Sequence, residues 1–172
     1  MKILSIIILF QLVSLLSCTK SESQKDQAPV VNAYTKIDSL QVINNSKGQT
    51  VYIPIYSHIP VFNKEILSLR AILSVRNTSA KENLIIAKID YYDTNGKLLK
   101  SYLDQPISLA KMATYEVEIS SLDISGGTGA NFIVKWDSMS EISSPIIESL
   151  MYGANGHHSY SFISRGQIVE KH

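Results

Sequence analysis

The chain has 172 residues, 45% of them hydrophobic and 18% charged, with a formal net charge of +1. That is long enough to bury a sizeable core in one domain, and it is less charged than the about 25% usual for globular chains. The balance includes no basic run and no acidic tail, so nothing pulls the chain towards nucleic acid or an anionic surface at long range, and no nucleic-acid partner is expected.

The chain opens on Met1-Lys2 and continues into an apolar run, Ile3 to Leu16, broken only by Ser5, Gln11 and Ser14. A spanning helix needs about 20 apolar residues, whereas signal-peptide cores run about 7–15. The run ends in Leu15-Leu16-Ser17-Cys18 and passes into polar Thr19-Lys20-Ser21-Glu22. This resembles the bacterial lipoprotein signal, with Leu three residues before the cysteine and a small residue just before it. Leu16 departs from the pattern, where a smaller residue is commoner. The resemblance implies cleavage after Ser17 and acylation of Cys18, the only cysteine. Each buried CH₂ adds about 0.8 kcal/mol, so several acyl chains make a durable anchor. Cys18 is then spent as a thioether, and is neither nucleophile, redox group nor metal ligand. Thr19 stands where enteric sorting rules place Asp for inner-membrane retention, which points to the periplasmic face of the outer membrane.

The expected organisation is a leader over 1–17, a lipidated cysteine and polar tether over 18–48, a folded domain over 49–166, and a loose tail over 167–172. Within the tether, Val30, Val31, Tyr34, Ile37, Leu40 and Ile43 recur at spacings of three or four, which predicts a short helix. Asn44 to Gly48 stops it. From Thr50 the period becomes two. Val51, Ile53 and Ile55 oppose Tyr52, Pro54 and Tyr56, and Pro54 marks the strand as an edge or a bulge because it cannot donate to a ladder. Leu67, Leu69, Ala71, Leu73 and Val75 form the next inward set, followed by Ile85, Ala87, Ile89 and Tyr91. Asp93-Thr94-Asn95-Gly96 reads as a type I′ hairpin turn, with its partner strand over Lys97–Leu103. Tyr115, Val117 and Ile119 point inward on another strand. A glycine-rich bend, Asp123 to Gly129, then feeds a strand whose inward face is Ala130, Phe132, Val134 and Trp136. Pro145 to Tyr152 is a strand or a short helix, and Ser159 to Ser164 is the last strand. About eight short strands with turn signals every ten residues or so predict an all-β, single antiparallel β-sandwich, immunoglobulin-like, with a small β-barrel as the alternative.

Several phrases in combination resemble the bacterial domain of unknown function 3124, found in secreted or lipid-anchored proteins: Val51-Tyr52-Ile53-Pro54-Ile55-Tyr56-Ser57-His58-Ile59, Leu73-Ser74-Val75-Arg76-Asn77-Thr78, Asp90 to Lys97, Gly126-Gly127-Thr128-Gly129-Ala130-Asn131-Phe132 and Pro145-Ile146-Ile147-Glu148. The resemblance covers roughly residues 50 to 165. It implies the domain boundary and the compartment, and brings no activity or catalytic residues.

No constellation points to an enzyme. Gly126, Gly127 and Gly129 suit a tight bend, or a backbone nest for an anion; a strand follows them, not the helix that a phosphate fingerprint needs. Ser57-His58 are neighbours, which in regular extended backbone face opposite sides of a sheet and cannot act as nucleophile and base. His157 and His158 cannot both reach one metal easily in extended backbone, and no metal or other cofactor is expected. Asp93, Asn95 and Gly96 echo the start of a Ca²⁺ loop without its later acidic ligand. Glu148 sits on the wet face or pairs with Arg70 or Arg76. The tyrosines are the more informative excess, because exposed Tyr is common at protein interfaces. Tyr52, Tyr56, His58, Gly126, Gly127, Gly129 and Asn131 are therefore the candidate interaction residues. The expectation is a lipid-anchored interaction or structural module of the envelope that meets another envelope protein through the edge strand Val51–Ser57 and the Gly126 loop. The alternative is an accessory lipoprotein binding a small ligand or metal near His58.

Overall fold

The structure is a computed structural model that describes residues 33–38 and 47–172. The leader, Cys18 and most of the tether lie outside the described residues. The strands in chain order are β1 (Tyr34–Lys36), β2 (Lys47–Pro54), β3 (His58–Pro60), β4 (Ile66–Ser68), β5 (Arg70–Arg76), β6 (Leu84–Tyr92) and β7 (Leu98–Ser101). They continue with β8 (Ile107–Leu109), β9 (Thr114–Ile119), β10 (Asn131–Ser138), β11 (Ile146–Asn155), β12 (His158–Arg165) and β13 (Gln167–Lys171). All pairings are antiparallel. One sheet runs β1-β8-β6-β10-β2-β13, with β7 also on β6; the second runs β12-β11-β5-β9; β3 and β4 form a separate ribbon. The sheets stack as an open sandwich and do not close into a barrel. Among the described residues no helix is long and apolar enough to cross a membrane.

The inward faces follow the period-two pattern. Leu67, Leu69, Ala71, Leu73 and Val75 from β4–β5 are buried, and Ala130, Phe132, Val134 and Trp136 meet them from β10. β10 is central: β6 pairs along one side of it and β2 along the other. Each fully buried Leu, Ile or Phe side chain contributes roughly 1.5–3 kcal/mol, so this layer carries much of the stability.

Four local features differ from the sequence pattern, each for a physical reason, and one open choice between strand and helix is decided. Tyr34–Lys36 is a strand on β8, not part of a helix, because its backbone finds Ile107–Leu109 as a partner. β6 changes phase: Lys88 faces Lys135 but Ile86 faces Trp136, so Ala87 is an inserted bulge residue. The inward set there is Leu84, Ile86, Ile89 and Tyr91. At the 93–97 turn only Gly96 has positive φ, and the Asp93 N–H donates to Lys97 O. This is a three-residue loop with a left-handed glycine, not type I′. The Asp93 carboxylate further accepts from the Asn95 and Lys97 amides, which accounts for the Ca²⁺-loop echo without a metal. The apolar 145–152 stretch is strand β11.

The fourth difference alters the functional reading. β2 is not an edge. The residues read as a loose tail form β13, which pairs Gln167 with Tyr52, Ile168 with Val51, Glu170 with Thr50 and Lys171 with Gln49. Pro54 lies beyond the last of these pairs, so its missing N–H costs no ladder bond. There the Pro54 carbonyl turns to the other sheet and accepts a hydrogen bond from the buried Ser149 hydroxyl at 2.7 Å. The chain changes sheets at Gly166, between β12 and β13. A side chain there would strike Val51 Cγ1 at 2.6 Å and Ile147 O at 3.0 Å.

The domain has two distinct ends. At one, Ala110 N–H donates to Ala33 O where the described chain begins, and the buried Asn77 amide bonds to Glu82 O and Ala110 O. At the other lie the 93–97 hairpin, the glycine loop and the β3–β4 ribbon. β5 runs between them, and its seven residues separate the ends by roughly 20 Å.

Candidate functional site

The glycine loop is held from two sides. Ser57 is buried, and its Oγ accepts from Gly127 N–H at 2.9 Å and lies 3.2 Å from both Gly127 O and His58 Nδ1. Its own N–H donates to Gly127 O. From the hairpin, Thr94 Oγ1 donates to Gly126 O at 2.9 Å and accepts from Gly129 N–H at 3.0 Å. The Gly127 and Gly129 amides, which an anion nest would use, are thus already engaged within the fold. The glycines answer to steric demands: Gly127 has φ +81°, and a side chain on Gly126 would sit 1.9 Å from the Tyr91 hydroxyl. That hydroxyl is buried without a hydrogen-bond partner of good geometry among the described residues. Burial pushes its pKa well up, and the Gly126 backbone offsets this only in part.

The close approach of Ser57 and His58 corrects the expectation that neighbours must diverge. β2 ends at Pro54, so Ser57 lies in irregular backbone where strand alternation does not apply. Ser57 is nonetheless locked to the loop and buried, and the pair braces the structure. His58 begins β3, opposite Ser68. Asn131 begins β10 between Pro54 and Tyr92. Tyr56 packs edge-on against Phe162, with ring centroids 5.6 Å apart, and Tyr52 lies mid-sheet between Ile133 and Gln167. The structure therefore gathers Ser57, His58, Gly126, Gly127, Gly129 and Asn131 at one end of the sandwich as a brace. Tyr52 and Tyr56 are not a free edge. Among the described residues no group of three His, Cys, Asp or Glu side chains is placed to hold a metal ion. Glu148 faces Arg76 at 3.7 Å, while Arg70 pairs with Glu118 at 2.9 Å.

The concave feature of this end lies beside the brace. A groove of about 1070 Å³ opens between the β3–β4 ribbon, the 121–122 turn and the tip of the β11–β12 hairpin. Tyr152, Tyr160, Ile66, Leu122, Arg70 and Lys64 line it, with Ser68, Ser121, Ser159 and Ser161 between them. Leu122 is 92% exposed at the rim, and Phe62, at the ribbon tip, is 89% exposed. Tyr, Ser and Arg are the residues that give rigid contact area and adaptable hydrogen bonding at recognition surfaces. Sequence reasoning missed this groove because its residues come from four separate segments. The available signal was local: Leu122 stands alone among polar turn residues, and Tyr152 and Tyr160 flank the Gly153–Gly156 turn.

The profile of a family described as "Protein of unknown function (DUF3124)" matches residues 48–169. That span is most of the chain, and the chain belongs to this family. No curated protein matches. Among solved structures, one titled "Crystal Structure of Thermotoga maritima 1070" aligns at 12% identity over 69% of this chain and 92% of that chain, with a TM-score of 0.43. A likeness that slight carries no argument about function.

Proposed function

We propose that this member of the DUF3124 family is a lipid-anchored envelope module that captures a partner protein in the groove between the β3–β4 ribbon and the β11–β12 hairpin. One observation carries the reading: the groove, with exposed Leu122 at its rim, lies at the end of β5 opposite the place where the chain enters the domain at Ala33. A chain acylated at Cys18 and tethered through residues 19–32 would join the domain on the side away from the groove. The aromatic, serine-rich lining suits a protein surface, and the near-neutral charge argues against an anionic polymer. The outer membrane, on its periplasmic face, is the compartment that the leader favours.

The test is made in the native organism. Leu122→Asp combined with Tyr160→Asp places two charges on the groove without touching the core. Membranes solubilised from cells carrying the wild-type chain should hold it in a complex on native gels, and the double variant should run as free protein while still sedimenting with membranes. Cys18→Ala should release the chain from the membrane fraction. A complex unchanged by the double variant would overturn the reading.

A further inference from the structure

The groove is a gap in a β-sheet. β5 lies between β11 and β9, which are therefore two strand spacings apart, about 9.6 Å. Pairing of β5 with β11 ends at Arg70–Tyr152, and its pairing with β9 ends at Ala71–Ile119. The preceding residues leave the sheet. Leu69 N–H donates to Ser57 O, β4 joins β3, and Ser68 O passes beneath Gly153, where a side chain would meet it at 2.8 Å. β11 nevertheless continues to Asn155, paired with β12 on its outer side. Among the described residues nothing pairs with Gly153–Asn155 on the side that β5 has vacated.

The backbone phase fixes which groups face this slot. Ile147 O accepts from Gly166 N–H on the β12 side. Backbone groups alternate along a strand, and the β11–β12 register is unbroken from Glu148 to Asn155. The N–H and C=O of Ala154 therefore point into the slot. β11 forms one side of the slot, and the 121–122 turn that follows β9, with Leu122, forms the other. Its charged lining is balanced, Lys64 by Glu65 and Arg70 by its ion pair with Glu118, so the slot is read by backbone groups and not by net charge.

We propose that the slot accepts one extended segment of the partner as an added strand in the lane that β5 leaves, hydrogen-bonded to Ala154. The proposal rests on the interaction reading above and specifies the partner's form. Main-chain bonds supply affinity in this mode, and alternate side chains supply specificity. A small molecule without the donor and acceptor spacing of a peptide backbone would leave the Ala154 groups unmatched.

The test uses the full lipidated chain in detergent, panned against a phage library of random dodecapeptides. Enriched peptides should alternate apolar and polar residues. In one enriched peptide, N-methylation of the single residue whose N–H bonds to Ala154 O should weaken binding about ten-fold, while methylation of its two neighbours should have little effect. Ala154 amide exchange should slow on binding, and Ile163→Lys, on β12, should leave affinity unchanged. Peptides that bind with no sensitive position in the N-methyl scan, or without protecting Ala154, would overturn strand addition. So would a library that yields no groove-directed peptide. The broader interaction reading stands or falls separately, on the membrane complex and the Leu122/Tyr160 variant.

Discussion

Ser57 and Gly127, 70 residues apart in sequence, are bonded in both directions: the Ser57 hydroxyl accepts from the Gly127 amide, and the Ser57 amide donates to the Gly127 carbonyl. This pair fixes the glycine loop to the strand end that leads into the β3–β4 ribbon, and so sets one wall of the groove. Ser57→Ala removes the acceptor and leaves Gly127 N–H with only its 3.3 Å contact to Ile124 O. The expected loss is about 1–3 kcal/mol in urea unfolding at unchanged m-value. An unaltered midpoint would show that the loop holds itself.

The hairpin supplies the second hold. Thr94→Val keeps the shape of the side chain and removes both the donor to Gly126 O and the acceptor for Gly129 N–H. A loss of about 1–2 kcal/mol is expected. Because Ser57 and Thr94 grip the same loop, the double variant should depart from additivity by more than about 0.5 kcal/mol. Simple additivity would mean that the two grips are independent.

Tyr91 gives a pH-dependent prediction. Burial raises its pKa, and burial likewise raises those of Tyr102 and Tyr115. The folded state holds these protons more tightly than the unfolded chain does. Stability is therefore full below the unfolded tyrosine value of about 10 and falls as pH rises above it through the higher folded values. Tyr91→Phe should flatten that alkaline loss. At pH 7 the same change removes a buried hydroxyl without a good partner, and should be neutral or stabilising by up to about 1 kcal/mol. Denaturant melts at pH 7 and above pH 10 read both effects, and a destabilised Phe variant at pH 7 would show that the hydroxyl is satisfied.

The C-terminal strand protects the sheet. Deleting residues 167–172 strips β13 from β2 and exposes Val51 and Tyr52 on a bare edge. The shortened chain should unfold at lower denaturant and associate at high concentration, as read by light scattering. Gly166→Val should act through the same junction, because its side chain would strike Val51 and the Ile147 carbonyl. A shortened chain as stable and as monodisperse as the full one would show that β13 is dispensable.

The sequence carried much of this architecture. Alternation placed Leu69, Leu73, Phe132, Val134 and Trp136 in the core, because burial on one face of a strand is a local pattern. It misjudged β6, where the Ala87 bulge shifts the phase and only the partner strand reveals the insertion. It read Pro54 as the mark of an edge, since no local signal says that Gln167–Lys171 returns to cover β2 as far as Tyr52. The brace was half legible. Glycine spacing marked the bend, but its partners Ser57 and Thr94 are distant in sequence. The groove was least legible, because it arises where β5 stops and β11 does not.

The most direct measurement is a photo-crosslinking scan in the native organism. A photoreactive residue replaces Tyr160 or Leu122 in the groove, or Met139 at the chain-entry end, which is 61% exposed and serves as the control. The account predicts one discrete adduct from Tyr160 and Leu122, none from Met139, and loss of the adduct when Cys18→Ala frees the chain from the membrane. An adduct from Met139 with none from the groove positions would contradict it.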